Sequence, residues 1–175
     1  MGTILGGSSI VKPPKGKNCY LFMRSCNKTW LSYKAAELKD FASQNPFTKE
    51  TNTNRWHSSC WPMFNDYRQM FYKNDRKVIT AEIMQPLRDI GLAVWFGDNG
   101  KIDKNGSVIL NTHNFGMKSS KAVVSYLKSC DIESKVWLQD GRYRVRITLE
   151  GSIRFLKTIA HRLPIFMHHK LLANP

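Results

Sequence analysis

Leu92-Ala-Val-Trp-Phe-Gly-Asp-Asn-Gly100 is the stretch whose reading decides the fold of this chain. Its apolar run reads as a short helix, and the acid, amide and glycine that follow stop it abruptly. The spacing predicts a helix from Pro86 to Phe96, with the proline tolerated in its first turn. Downstream, Gly106 to Thr112 has the character of a strand, with Ser107-Val-Ile-Leu-Asn-Thr112 at its heart. Met117 to Cys130 then reads as a periodic helix with Val123, Val124 and Leu127 on its buried side. Two more strands form a hairpin, and Ile153 to Leu163 makes the last helix.

The N-terminal half repeats this order less cleanly. Met1 to Leu5 is the stub of a helix before Gly6, and Pro13-Pro-Lys-Gly16 is a turn between two strands. Cys19 to Arg24 suits a half-buried strand. Trp30, Leu31, Tyr33, Ala36, Leu38 and Phe41 follow helical spacing up to Pro46. Thr48 to Asn54 is expected as a polar loop and Arg55 to Ser59 as a short strand. Met63, Tyr67, Met70 and Phe71 fall on one side of a helix that Pro62 can start. Helix, strand pair, helix, strand pair and helix thus occur twice, an internal repeat in pattern. The expected division is residues 1–80 and 81–175.

Composition limits the partners. The 175 residues, 42% apolar, can bury one core or two small fused ones. Charges interrupt every apolar run, so no segment is expected to span a bilayer. Met1 to Ile10 lacks the basic start and cleavage pattern of a secretory signal. Lys and Arg number 27 against 13 Asp and Glu, a net charge of +14. That balance points to a polyanion. Nucleic acid is favoured over a membrane surface, because no helix is basic on one side and apolar on the other. Cys19, Cys26, Cys60 and Cys130 form no Cys-x-x-Cys pair, which fits thiols in a reducing compartment. The histidines lack metal-ligand spacing, so no metal is assigned to them.

The C-terminal hairpin carries the binding reading. Asp140-Gly141 is a favoured two-residue turn, which sets Gln139 against Arg142, Leu138 against Tyr143, Trp137 against Arg144, Val136 against Val145 and Lys135 against Arg146. Alternation then gives one apolar face, Val136, Leu138, Tyr143, Val145 and Ile147, expected to cover a core. The other face holds Lys135, Trp137, Gln139, Arg142, Arg144 and Arg146, with no acid among them. As an ordinary solvated surface it would have Arg144 stacked on Trp137. Three alternating arginines repel one another unless an anion neutralises them, and a phosphate backbone does so while releasing counterions. Arginine and glutamine can also address base edges in a wide groove.

Four stretches, in order, resemble the LAGLIDADG homing endonucleases, and the likeness covers nearly the whole chain. Met1-Gly-Thr-Ile-Leu-Gly-Gly-Ser-Ser-Ile10 is similar to the first motif, a helix ending Leu-Gly-Asp-Gly in the family. Phe71-Tyr-Lys-Asn-Asp-Arg-Lys-Val-Ile79 resembles the stretch before the second motif, which is Leu92–Gly100 itself. Leu110-Asn-Thr-His-Asn-Phe115 and Leu163-Pro-Ile-Phe-Met-His-His-Lys-Leu171 complete the series. The resemblance implies an α/β (α+β) fold of two pseudo-symmetric halves whose saddle-like antiparallel sheets lie along DNA. It also implies two motif helices packed through small residues, here Gly2, Gly6, Ala93 and Gly97. Trp95 and Phe96 are expected in the core.

In that family an acid at each motif-helix end holds divalent metal, because such ions need hard oxygen ligands. Carried over by position, the two acids fall on Gly7 and Asn99. Asp98 is adjacent to the second position, but one helical step turns a side chain by roughly 100°. No acid lies between Met1 and Glu37. Lys77 and Lys170 match the family's basic residues near the metal centre, and His113 stands where a glutamine is frequent. The resemblance therefore implies a nucleic-acid-binding protein deficient in cleavage and without a cofactor, Mg²⁺ being needed only if cleavage is retained. Expected partners are duplex DNA or structured RNA, and no membrane. The alternatives are an RNA-binding maturase, or a structural subunit among the proteins of an RNA–protein particle such as an organellar ribosome. A further alternative is an active site-specific DNA endonuclease, with Asp98 or a partner chain supplying ligands. The intron-encoded relatives imply an organelle, the mitochondrion first.

Overall fold

A computed structural model describes residues 1–172. The chain forms two compact units: Thr3–Met70, and Met1–Gly2 together with the chain from Phe71 onward.

The first unit contains most of a short helix α1 (Gly2–Gly6), then strands β1 (Ser9–Val11) and β2 (Tyr20–Ser25). Helix α2 (Lys28–Glu37) follows, opened by Asn27, whose side-chain oxygen accepts from Trp30 N at 2.9 Å. Its buried stripe is Trp30, Leu31, Lys34 and Ala35, while Ala36 is exposed. The expected stripe runs through Ala36 because a lysine at 34 does not look like core. The Lys34 ammonium lies 5.5 Å from the Trp30 ring centroid, over a ring face that attracts a cation.

The largest difference from expectation follows. Residues that read as the end of a helix and a polar loop are a single turn of 3₁₀ helix (Lys39–Phe41) and a long strand, β3 (Ala42–Glu50). It pairs with β4 (Thr53–Ser58) in a sheet ordered β1-β2-β4-β3. β3 lies at the sheet edge and is almost wholly exposed, so no apolar alternation announces it. Pro46 is tolerated because the register breaks between Ala42 and Phe47, where a bulge needs no ladder donor. Leu21, Met23 and Trp56 bury one face of this sheet. Helix α3 (Met63–Phe71) leads out of the unit.

The second unit opens with a small hairpin, β5 (Tyr72–Lys73) and β6 (Arg76–Lys77), that sequence reading missed. Asn74 and Asp75 make its turn at φ 49° and 58°, a pair of left-handed residues with no glycine to mark them. A short helix α4 (Ala81–Met84) precedes the main one, α5 (Asp89–Asn99). Pro86 is therefore outside α5, in the link between the two helices. Leu92, Ala93, Trp95, Phe96 and Gly97 are buried along α5, and Phe96 packs edge-on to Phe155 at 6.0 Å. Gly2 lies against Gly91, so close that a Cβ on Gly2 would stand 2.2 Å from the Gly91 carbonyl oxygen. Gly91 was not among the small residues expected to pack.

Strands β7 (Gly100–Ile102) and β8 (Val108–Leu110), helix α6 (Gly116–Ser129), strands β9 (Ser134–Gln139) and β10 (Arg142–Ile147), and helix α7 (Leu149–Ala160) complete the unit. The sheet order is β7-β8-β10-β9, the same plan as the first sheet. On α6, Val123 and Leu127 are buried with Ser119 and Ser120, and Val124 is half-buried. α7 begins four residues before Ile153, at a cap where Thr148 Oγ1 accepts from Gly151 N. A 3₁₀ segment, Ile165–Leu171, follows it. Among the described residues all four cysteines are free, and no helix is long and apolar enough to cross a membrane.

Candidate nucleic-acid interface and the end of helix α5

The β9–β10 register is the expected one at every position, from Gln139 opposite Arg142 to Lys135 opposite Arg146. Asp140 and Gly141 take φ 51° and 69°, the left-handed pair that this two-residue turn demands. The hairpin's apolar face is only partly covered. Val145 and Ile147 are buried, Val136 and Tyr143 half-buried, and Leu138 is 57% exposed. The hairpin tip thus extends beyond the core that its root covers.

The polar face differs from expectation in two contacts. Arg146, not Arg144, lies over Trp137, with its guanidinium carbon 5.4 Å from the ring centroid. Trp137 faces Arg144 directly, but a diagonal neighbour is also within reach of so large a ring. Arg144 instead donates to Gln139 Oε1. The face also has an acid that a strand-only reading cannot see. Asp103, in the loop after β7, accepts from Arg146 Nη2 at 2.7 Å through Oδ2. Its Oδ1 accepts from Asn105 N and Ser107 N, each at 2.9 Å, so the loop and the arginine share one carboxylate. Arg142 and Lys135 remain exposed on the face, and register adds the exposed Lys101, since Lys101, Ile109, Arg146 and Lys135 are successive partners across the four strands. His113 is close enough to Arg142 and Arg144 to feel both: burial first, then the two cations, hold its imidazolium below the ordinary range.

The first unit's sheet has a comparable face that sequence reading did not assemble, because β3 reads as a loop. Register places Phe22 opposite His57 and Arg24 opposite Arg55, on the face away from Met23 and Trp56. Two arginines directly opposed repel unless an anion intervenes. Here Glu50 pairs with Arg55. The Arg55 guanidinium carbon lies 5.7 Å from the Phe22 ring centroid, and Tyr20 meets His57 edge-on at 6.2 Å. The signal available in sequence was the alternation Tyr20, Phe22, Arg24 along β2, but it needs a partner strand to become a face.

The end of α5 is built around Lys170, Lys77 and Asp98. Gly100 closes the helix where a Cβ would stand 2.2 Å from Phe96 Cδ2, so glycine is needed for close approach. Lys170, on the 3₁₀ segment, donates from Nζ to Gly97 O at 2.7 Å and Phe96 O at 3.2 Å. A cation there satisfies carbonyls that a helix end leaves without partners. Asn99 O accepts from Asn111 Nδ2 at 2.8 Å, which ties the helix end to the residue directly after β8. Lys77 is held by the β5–β6 hairpin and by Ile79, whose N donates to the buried Ser119 Oγ at 3.0 Å. Asp98 acts on both ammonium groups and raises their affinity for protons, yet burial outweighs it, pushing Lys77 down to about 8 and Lys170 below its ordinary value. Two ammonium groups, one carboxylate and the neutral amide of Asn99 are thus gathered at this helix end. In the first unit Gly7 supplies no side chain, and its φ of 152° is a conformation that a side-chain-bearing residue rarely adopts.

No protein among the curated sequences matches this chain. Solved structures do. The homing endonuclease I-WcaI bound to its DNA recognition sequence superposes with a TM-score of 0.89 at 21% identity, covering 99% of this chain and 84% of that one. I-DmoI in complex with DNA and Ca gives a TM-score of 0.63 at 16% identity, over 96% of this chain and 92% of that chain. The N-terminal LAGLIDADG domain of DUF199/WhiA gives 0.55 at 10% identity, over 98% and 83%. These likenesses show the α+β fold with antiparallel sheets. The sequence pattern of the LAGLIDADG DNA endonuclease family matches residues 1–155. This chain belongs to the LAGLIDADG DNA endonuclease family.

Proposed function

We propose that this protein holds duplex DNA on the open faces of its sheets and does not cleave it. The observation that carries the binding half is the β9–β10 face, where Arg142 and Lys135 stay exposed and Arg144 is fixed by Gln139. Exposed cations meet phosphates and release counterions, while a fixed arginine and its glutamine can read base edges. Relatives of the same fold are seen bound to DNA, which supports the same partner here.

Loss of cleavage rests on chemistry at the end of α5. A metal-assisted hydrolysis needs carboxylates to hold the ion. Asn99 offers an amide, Gly7 offers nothing, and Asp98 already faces two lysines. The lysines can contact a phosphate directly, with no cofactor. A maturase or ribonucleoprotein subunit in an organelle would use the same faces, and the Trp137–Arg146 stack is the feature that favours an RNA partner.

The test is selection of a binding site from a random duplex pool, followed by incubation of the selected site with the protein and Mg²⁺ or Mn²⁺. The expected result is retention of a preferred duplex with both strands intact. Strand scission at the selected site would overturn the loss of cleavage. Failure to retain any duplex above competitor would overturn DNA binding.

A further inference from the structure

We propose that each unit carries a site for one unpaired nucleobase, formed at an arginine whose guanidinium lies over an aromatic ring. The proposal rests on the nucleic-acid reading above and specifies what these two positions take. In the first unit Arg55 lies over Phe22, its guanidinium carbon 5.7 Å from the ring centroid, and in the second Arg146 lies over Trp137 at 5.4 Å. Each arginine is the diagonal, not the direct, cross-strand neighbour of its ring: Phe22 faces His57, and Trp137 faces Arg144. Each is also engaged by a carboxylate of its own unit, Glu50 for Arg55 and Asp103 for Arg146.

The consequence follows from the shape of a guanidinium. All its donors lie around the edge, in the plane. A phosphate binds that edge, often through two parallel hydrogen bonds. At Arg55 and Arg146 a carboxylate already engages Nη2 on that edge, and Arg55 Nε is buried as well. A phosphate would have to displace Glu50 or Asp103, and the carboxylate has neutralised the charge that attracts it. The plane of the guanidinium takes no part in that pairing, and the side chains are still 34% and 27% exposed. A flat π-system fits that plane without disturbing the ion pair. Nucleobases stack on guanidinium and aromatic planes in this way.

Base pairing decides which nucleobase can do so. In a duplex the base planes are covered by their neighbours, and only edges face the groove. A stacking platform therefore takes a base that has left its pair. Such a base comes from an RNA loop or from locally opened DNA, and the chemistry of the site is common to both. In the first unit Tyr20 and His57 lie beside this pair and extend its aromatic border.

The test uses full-length protein and oligonucleotides carrying the fluorescent base 2-aminopurine, whose emission is quenched by stacking. Four probes of one sequence are compared: an RNA stem-loop with the probe unpaired, the DNA stem-loop, and perfect RNA and DNA duplexes. Wild type is expected to quench the unpaired probes and leave the duplexed ones unchanged. Arg55→Lys and Arg146→Lys keep the charge and remove the plane. Each is expected to lower the affinity ratio of unpaired to duplex ligand by about tenfold. Trp137→Phe, which keeps a ring under Arg146, is expected to retain most of that ratio, while Trp137→Leu loses it. Circular dichroism verifies that each variant is folded. Lysine variants with the wild-type ratio, or quenching that survives them, would overturn the proposal. Binding to duplexes without quenching of any loop would overturn it while leaving the DNA reading intact. No binding to any probe would remove the nucleic-acid reading itself. Comparison of the two loops identifies RNA or opened DNA as the source of the base.

Discussion

Lys77 costs the native state stability, and the cost can be worked out. Burial pushes its pKa from an ordinary 10.5 down to about 8, even with Asp98 nearby to hold the proton. The protonated side chain is therefore disfavoured in the folded protein relative to the unfolded one. The penalty is fully present below pH 8 and disappears as pH rises from 8 towards 10.5, where the unfolded chain binds the extra proton. At about 1.4 kcal/mol per pKa unit, it amounts to roughly 3 kcal/mol at pH 7 and about 1.4 kcal/mol at pH 9.5. Lys77→Met keeps the length and apolar stem of the side chain and removes the charge. The variant is expected to unfold at higher urea than wild type at pH 7. The shift is on the order of 1 M, for a slope of about 2 kcal/mol per M. The attraction to Asp98 is already contained in the value of about 8, so its loss takes nothing further from this gain. The gap should narrow by roughly 2 kcal/mol between pH 7 and 9.5, because wild type gains stability over that range. Urea titration followed by circular dichroism at both pH values measures it directly. A gap that stays constant with pH would refute the reasoning, since no buried ammonium would then be titrating. A lysine held at such a cost is well matched to a bound phosphate, which returns the counter-charge.

Arg142→Gln and Lys135→Gln should each flatten the dependence of log affinity on log salt by about one for every phosphate left without its cation, read by filter binding across a salt series. Nucleic acid should bind more tightly as pH falls from about 7.5 to 5.5, because neutralising Arg142 and Arg144 lets His113 take up a proton; His113→Gln should flatten that profile. Asp103→Ala should lower stability by about 1–3 kcal/mol, because Asn105 N, Ser107 N and Arg146 lose a shared acceptor, and thermal unfolding would show it.

What was legible in the sequence was whatever repeated itself. The β9–β10 hairpin is specified twice over, by Asp140-Gly141 and by strict alternation, and its register agrees pair for pair. α5 was visible because an apolar run stops at Asp98-Asn-Gly100, although the expected start falls on a proline that belongs to the preceding link. β3 was invisible because an exposed edge strand has no buried face, and helical spacing was read up to Pro46. With β3 hidden, the first unit's basic and aromatic face had no partner strand and was not assembled. The contacts of Arg146 depended on a loop acid, Asp103, that no strand pattern places. Periodicity reports which side of an element is buried; it does not report which distant loop returns to that side.

The same distinction explains how a binding fold can outlast a cleavage site. The sheet faces rest on many residues acting together: Val145, Ile147, Val108 and Leu110 bury one side, and the register then fixes every basic residue on the other. Exchange of one exposed residue changes the surface and leaves the fold. A metal centre is different, because one side chain at one helix end is either a hard oxygen ligand or is not. On the function proposed for this chain, Asn99 and Gly7 removed that chemistry without touching the core, since neither residue is among the buried apolar ones. What they left at the end of α5 is Asp98 between Lys77 and Lys170, a local excess of positive charge. That charge is carried by side chains, so a phosphate can meet it without a metal ion as bridge. Binding to the selected duplex should therefore persist in the presence of a chelator, and its loss on chelation would show that a metal ion takes part in the contact.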